Sequence, residues 1–224
     1  MTFREDLDDP TVSMLVEPVR DATVTLVAFA GIRGGLGIAP YEFLRSTEGL
    51  GARRILVRDL DQVWYLRGIR GLAGTLPAAA AALRDEVGGG RLVVTGNSAG
   101  GFAAIAFGAL LGADEVHAFS PQTAIDRPHR VRWLDARWPG RMRAVRRLPP
   151  ATEPLDLAPL LHACPGPQVH VHFCGSHGRD ARHARHLRNV PGVTLHPYEG
   201  DGHRLVRDLR DRGELASILT QAVT

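Results

Sequence analysis

The chain has no lysine, little cysteine and no long uncharged apolar run. All 27 basic residues are arginine. This matches the arginine-, alanine- and glycine-rich usage of a high-GC genome, while clustered arginines also favour recognition of phosphate or carboxylate. The two cysteines, Cys164 and Cys174, are too few for a disulfide framework and are expected to be reduced. No stretch of about 18 uncharged apolar residues occurs, so we expect no transmembrane helix and no membrane association.

The rest of the composition is that of a globular protein. Its 224 residues are 44% apolar and 23% charged, which excludes collagen-like and disordered chains and predicts a single domain over residues 1–224. A net charge of +3 is too small to argue for nucleic acid by itself. The first ten residues are polar and acidic, unlike a signal peptide, so the expected location is the cytoplasm.

Apolar, β-prone runs alternate with alanine- and leucine-rich stretches. The continuous apolar runs predict strands buried on both faces, and the alternation predicts an α/β chain with a mostly parallel, doubly wound sheet. An additional edge strand is expected at 14–19, where Pro18 suits an edge better than a centre. Strands are predicted at 23–29, 54–58, 92–95, 115–119, 169–174 and 193–196. Helices are predicted at 41–48, 72–87, 98–111, 180–188, 203–212 and 214–222.

The segment 121–167 interrupts this alternation with frequent prolines and with Trp133 and Trp138. We interpret it as a small cap or lid over the C-terminal edge of the sheet, and the alternative is a surface excursion without a role. Eight arginines lie between positions 126 and 147. They indicate either a solvated basic surface or a face that docks an acidic carrier protein, a phosphopantetheine arm or an acidic substrate.

The most informative motif is Gly96-Asn97-Ser98-Ala99-Gly100, which joins a predicted strand to a long apolar helix. A G-x-S-x-G sequence in this setting is typical of a nucleophile elbow, where a strained turn exposes the serine hydroxyl. Gly96 and Gly100 leave room where a β-carbon would strike neighbouring elements. Ser98 is therefore the candidate nucleophile. The alternative is a glycine-rich turn that only packs a helix on a sheet or binds phosphate.

A serine nucleophile needs a base and an acid that orients the base. Position favours His203, which follows the last predicted strand at the C-terminal edge of the sheet. Asp180 follows the preceding strand, and the order Ser98, Asp180, His203 is one known triad order. Asp126 is the alternative acid, while Asp180 could instead serve as a helix N-cap.

With these residues the chain resembles the α/β-hydrolases from about Thr23 onwards, with 121–167 at that family's usual cap position. The resemblance implies an oxyanion hole made by the backbone N–H groups of Ala99 and Ile32. Where the family often has His-Gly in the first loop, this chain has Ala30-Gly31. Substrate-binding residues are expected in the first loop, the elbow and the cap: Gly31, Arg33, Asn97 and Trp133.

These observations predict a serine hydrolase that cleaves an ester or thioester through an acyl-enzyme, without a cofactor. Two alternatives stay open. One is an acyltransferase or cyclase that passes the same acyl group from a carrier-bound substrate to another acceptor, and the other is a hydrolase-like binding protein without catalysis. His170 and His172 form an H-x-H pair on a strand, but simple alternation explains them, so no metal is expected.

Overall fold

The computed structural model describes residues 7, 9–17, 19–32, 41–148, 154–200 and 202–224. Seven strands form one sheet: β1 (Met14–Glu17), β2 (Val24–Phe29), β3 (Arg53–Val57), β4 (Arg91–Asn97), β5 (Glu115–Phe119), β6 (Gln168–Cys174) and β7 (Val193–Tyr198). Their spatial order is β1-β3-β2-β4-β5-β6-β7. Only β1 pairs antiparallel, with β3, and the other neighbouring pairs are parallel. The prediction of a mostly parallel α/β sheet is confirmed, including the edge position of β1.

Eight helices lie in the described part of the chain: α1 (Leu76–Val87), α2 (Ala99–Leu111), α3 (Arg127–Arg132), α4 (Pro139–Val145), α5 (Leu157–Ala163), α6 (Gly178–His186), α7 (Leu205–Asp211) and α8 (Glu214–Val223). Helices α3, α4 and α5 occupy the predicted cap segment between β5 and β6. No described helix is long and apolar enough to span a bilayer.

The sheet is covered on both faces, as continuous apolar strands require. The larger core packs α1, α2, α5 and α6 against the sheet around Phe29, Phe102 and Val171. A second core is formed by α7 and α8 with Phe43 and Phe119. Two layers of helices on one parallel sheet define the doubly wound architecture.

The helix predicted at 41–48 is wrong, because this stretch forms consecutive turns. Phe43 has a φ of 72°, a left-handed conformation that an α-helix cannot contain. The Thr47 hydroxyl donates to the Phe43 carbonyl over 2.8 Å, and the Tyr41 hydroxyl donates to the Val12 carbonyl over 2.8 Å. The Phe43 carbonyl also accepts from the Thr47 N–H over 3.0 Å, so single turns and side-chain hydrogen bonds hold this stretch without a continuous helix.

Two other helices are shorter at their N-termini than the sequence indicates. Helix α1 begins at Leu76 rather than at 72, because the Thr75 side chain caps it by accepting from the Ala78 N–H. Helix α7 begins at Leu205, which leaves His203 in the preceding loop. That loop position frees the imidazole to reach across the end of the sheet.

Candidate active site

Ser98 lies in the sharp turn between β4 and α2. Its φ of 57° and ψ of −114° are a strained combination for a residue with a β-carbon. The glycines around it permit the turn. A β-carbon on Gly96 would lie 2.1 Å from the Gly100 carbonyl oxygen, and one on Gly100 would lie 2.1 Å from the Phe29 carbonyl oxygen. The serine is therefore held at the C-terminal edge of the central strand by backbone packing.

The side chains of Ser98, His203 and Asp180 form a continuous hydrogen-bonded line. His203 Nε2 lies 2.9 Å from Ser98 Oγ, and His203 Nδ1 lies 2.7 Å from Asp180 Oδ2. Because an ionised carboxylate only accepts, the Nδ1–H of a neutral His203 donates to Asp180 and its Nε2 accepts from the serine hydroxyl. This tautomer is the one that a general base needs.

Asp180 is the most enclosed of the three residues and lies in the first turn of α6, with a side chain that is 1% exposed. Arg137 Nη1 lies 3.3 Å from its second oxygen, and His177 Nδ1 lies 3.1 Å from the oxygen that binds His203. Burial alone raises the pKa of Asp180, but the His203 hydrogen bond and the Arg137 charge outweigh it and lower that pKa. The carboxylate therefore stays ionised.

Arg137 belongs to a buried charged network that the sequence did not reveal. It binds Asp135 through Nε at 2.9 Å and Nη2 at 2.7 Å, and His183 Nε2 lies 3.2 Å from Asp135 as well. Burial raises the pKa of Asp135, whereas the hydrogen bonds from His183 and Arg137 lower it by more. Arg137 and Asp135 lie between α3 and α4, so the network ties the cap segment to α6.

The proposed oxyanion donors lie on two neighbouring loops. Ala99 is the first residue of α2, where a backbone N–H has no partner within the helix. A β-carbon on Gly31 would lie 3.0 Å from the Asn97 carbonyl and 3.7 Å from Ser98 Cβ, so the first loop runs directly against the elbow. The Gly31 N–H donates to Glu42 over 3.2 Å, and the next N–H, that of Ile32, has no acceptor in the described residues.

Glu42 is a site residue that sequence reasoning missed. Its two oxygens accept from the Gly31 N–H and, over 2.7 Å, from the Asn97 side-chain amide. It therefore links the first loop to the elbow. Burial raises the pKa of Glu42, and the two hydrogen bonds only partly offset this effect. No signal in the sequence identifies Glu42. The local pattern predicts a helix for the stretch that contains it, and that prediction offers no reason to place its carboxyl group beside the elbow.

The structure does not bring every predicted residue to this line. Trp133 packs against His129, His183 and His186, with ring centroids 4.9, 4.8 and 5.3 Å apart, and in the described chain its ring contacts do not include His203. The Asn97 amide is engaged by Glu42. Asp126 caps α3 and pairs with His129 rather than His203. Arg33 lies outside the described residues.

The H-x-H strand is part of a ladder of imidazoles across β5, β6 and β7. His117 Nε2 lies 2.9 Å from Glu115, His117 Nδ1 lies 3.1 Å from His172 Nε2, and His172 Nδ1 lies 3.0 Å from the Tyr198 hydroxyl. Donation from Tyr198 towards Glu115 satisfies every group with neutral histidines. Burial lowers the pKa of His117 to about 4 and that of His172 to about 2.

Three described groups of histidines and carboxylates have the spacing to hold a metal ion: Glu115, His117 and His170; His129, Asp156 and His186; and His177, Asp180 and His203. The third group contains the hydrogen-bonded line itself, where His203 already uses both ring nitrogens. The other two lie elsewhere on the molecule.

Solved structures share this architecture, although no family model and no curated protein sequence matches the chain. The capsule O-acetyltransferase of Neisseria meningitidis serogroup A superposes with a TM-score of 0.69 at 13% identity, over 92% of this chain and 90% of that one. The fluorophosphonate-binding serine hydrolase F of Staphylococcus aureus gives a TM-score of 0.64 at 12% identity, over 96% and 95%. Brefeldin A esterase, a bacterial homologue of human hormone-sensitive lipase, gives 0.57 at 21% identity, over 94% and 73%. The chain therefore has the α/β-hydrolase type of fold.

Proposed function

We propose that this protein is a serine hydrolase that cleaves an ester or thioester through an acyl-enzyme on Ser98. The observation that carries the proposal is the hydrogen-bonded line from Ser98 through His203 to Asp180, with spacings of 2.9 and 2.7 Å. Both distances lie within the range that proton transfer requires. The shared fold of an esterase and a serine hydrolase supports the same class of reaction.

The proposed reaction has two halves. Ser98 Oγ attacks the acyl carbonyl while His203 Nε2 takes its proton, and the resulting imidazolium is stabilised by Asp180. The tetrahedral oxyanion accepts hydrogen bonds from the Ala99 and Ile32 N–H groups. His203 then protonates the leaving alcohol or thiol, and a water molecule releases the acyl group by the reverse path, so atoms and protons balance without a cofactor.

The nucleophile is tested by labelling with a fluorophosphonate probe and by a panel of p-nitrophenyl esters and acyl thioesters. Ser98→Ala is expected to abolish labelling and to lower turnover by roughly 10³-fold or more, with the fold retained. Ser217→Ala changes an exposed serine on α8 and provides the matched control. Labelling that survives in Ser98→Ala would contradict the assignment, and a wild-type protein that never labels would favour the non-catalytic alternative.

Acyl transfer is the second candidate, because the arginines of the cap segment line a groove between α3 and α4. This groove has a volume of about 640 Å³, and its apolar wall includes Val131 and Leu134, which are 65% and 80% exposed. Arg127, Arg143 and Arg146 also line this groove. A groove with an apolar wall and arginines along its edge fits an acidic carrier protein. Such a carrier would deliver the acyl group for transfer to an alcohol, an amine or an internal carbon nucleophile.

Salt distinguishes the carrier proposal from a solvated basic surface. Since charges are screened over about 8 Å at physiological ionic strength, kcat/KM for an acidic carrier-bound substrate is expected to fall with added salt, while a small neutral ester is unaffected. Arg143→Glu with Arg146→Glu should reproduce the salt effect, and Arg20→Glu with Arg45→Glu is the charge-matched control. Equal responses of both substrates would remove the acidic partner and leave the hydrolase proposal intact. Product analysis with the carrier-bound substrate separates transfer from hydrolysis.

A further inference from the structure

His129, Asp156 and His186 come together from three separate helices on the flank of the cap segment. His129 is in the first turn of α3, Asp156 is the N-cap of α5, and His186 is the last residue of α6. One ligand atom from each lies within 4.8 Å of the others. His186 Nε2 is 2.7 Å from Asp156 Oδ1, and the two imidazole rings are 4.7 Å apart at 59°.

A fourth residue prepares His129 for metal binding. Asp126 Oδ2 lies 2.7 Å from His129 Nδ1, so the imidazole donates its Nδ1–H to the carboxylate. This fixes the tautomer and leaves the lone pair on Nε2, in the carboxylate–histidine arrangement that commonly supports a metal ligand. Asp126 is itself held in place, because its other oxygen accepts from the His129 N–H over 2.9 Å.

The charge of the group suits a divalent cation. Two carboxylates, Asp126 and Asp156, accompany two imidazoles, and within the described residues their side chains pair with histidines and backbone N–H groups rather than with arginine. Trp133 packs against both imidazoles and restricts their orientation. The group therefore combines two neutral nitrogen ligands with an oxygen ligand, and the Asp126 carboxylate holds one of the two imidazoles in place.

The competing cluster on the strands is less suitable. Arg91 pairs with Glu115 there, and this positive charge opposes a cation. His117 Nε2 and His170 Nε2 both face Glu115 Oε1, at 2.9 and 3.4 Å, but His117 already uses its other ring nitrogen towards His172. In the helical group, by contrast, the carboxylates of Asp126 and Asp156 pair with histidines and with no arginine of the described part of the chain.

We propose that His129, His186 and Asp156 bind a zinc ion, with a fourth position left for water. Nitrogen and carboxylate ligands in this number are typical of zinc. Binding replaces the His186–Asp156 hydrogen bond, because His186 Nε2 must give up its proton, which moves to Nδ1 through solvent so that the ring stays neutral. The ion would fasten α3 and α5 to α6, the helix whose first turn carries Asp180.

The test is zinc titration of chelator-treated protein by calorimetry, with Co²⁺ absorption as a reporter of the ligand set. We expect one site, a rise in melting temperature with zinc, and loss of the site in His129→Ala and in His186→Ala. Asp126→Asn keeps the helix cap but removes the charge, and is expected to weaken zinc affinity by roughly 10- to 100-fold. His162→Ala, an exposed histidine on α5, is the matched control and should bind zinc normally.

Three outcomes would overturn the proposal. Absence of zinc binding at millimolar concentration would remove the site. Binding that persists in both histidine variants but is lost in His170→Ala would place the ion on the strands. Zinc that blocks fluorophosphonate labelling would place it on the hydrogen-bonded line of Ser98, His203 and Asp180. Calorimetry and the Co²⁺ spectrum need no turnover, so the proposal is independent of the hydrolase function.

Discussion

The two sides of the candidate active site are held together by different kinds of interaction. On the nucleophile side, β2, β4 and α2 hold Ser98 by close backbone contact and apolar packing, and twelve of the thirteen residues of α2 are buried without a single charge. On the charged side, Arg137 of the cap segment, with His177 and His203 from the loops after β6 and β7, holds Asp180 through ion pairs and hydrogen bonds. Arg137 and Asp135 have side chains that are 13% and 1% exposed.

The two sides are therefore expected to respond to different changes: one to added side-chain volume, the other to pH and to loss of a charge. Steric packing does not change with pH or salt, so the nucleophile side depends mainly on volume, with the Glu42 hydrogen bonds as its polar contribution. Buried charges depend on protonation and on the presence of every partner, and removing one partner leaves another unpaired. We therefore expect the nucleophile side to fail by overpacking and the charged side to fail by loss of charge or by acid.

The largest expected effect comes from Asp180, the proposed acid of the triad. Asp180→Asn should lower kcat by about 10⁴-fold, since an amide presents the wrong hydrogen-bonding pattern to His203 and cannot stabilise the imidazolium. Steady-state kinetics with the most active p-nitrophenyl ester measure the loss, and circular dichroism checks the fold. Asp126→Asn is the matched control and should retain activity. A comparable loss of activity in Asp126→Asn would instead assign the role of the acid to Asp126, which follows the preceding strand.

The steric side is tested by adding one methyl group. Gly100→Ala places a β-carbon against the Phe29 carbonyl, where it would lie 2.1 Å away. We expect the free energy of unfolding to fall by more than about 3 kcal/mol, because neither β2 nor the elbow can move apart cheaply. Urea denaturation measures the change. Gly140→Ala adds the same group in open space on α4 and should be neutral or slightly stabilising.

The charged side is tested by removing Arg137. Arg137→Met should lower the free energy of unfolding by about 2–3 kcal/mol, since Asp135 loses its closest charged partner and keeps only His183 and the more distant Arg130 among its side-chain partners. The Arg137 charge also helps to hold the pKa of Asp180 low, so its loss raises that pKa and leaves Asp180 less ionised in acid. The acid limb of the kcat/KM–pH profile is therefore expected to shift to higher pH, which a purely structural role would not cause. Arg143→Met, at an exposed arginine of α4, is the control. If the kcat/KM–pH profile of Arg137→Met is not shifted, Arg137 contributes to the stability of the fold and not to the reaction.

The effect that is smallest near neutral pH, and grows only on acidification, is acid sensitivity from the imidazole ladder. The folded pKa values of His117 and His172 lie below the usual value of 6.5. The unfolded chain therefore binds more protons than the folded one as pH falls below about 6.5, and stability decreases towards pH 4. Each such histidine contributes a slope of at most about 1.4 kcal/mol per pH unit.

His172→Asn isolates this contribution. Because asparagine does not titrate, the variant should show a shallower loss of unfolding free energy between pH 6.5 and 4 in urea denaturation. His162→Asn, which removes an exposed histidine, should leave the slope unchanged. If both variants behave alike, the pH dependence comes from other groups, such as the depressed carboxylates of Asp135 and Asp180, whose stabilising contribution is lost only as pH falls further.

Local sequence patterns determined the sheet, the edge position of β1 and the elbow. These features depend on short-range physics: apolar runs mark strands buried on both faces, and the Gly96 and Gly100 spacing permits a turn that few sequences could form. The same local reasoning failed at 41–48. The helix-like pattern there gave no sign of the left-handed Phe43, which interrupts the helix.

Only the tertiary structure decided which groups meet across the end of the sheet. Asp180 and Asp126 both follow strands in the sequence, but the fold directs one towards His203 and the other towards His129. Glu42 and Arg137, and the group of His129, Asp156 and His186, likewise unite residues from separate elements. The physical reason is that burial makes these charges depend on partners far along the chain, and no local pattern encodes the identity of a distant partner.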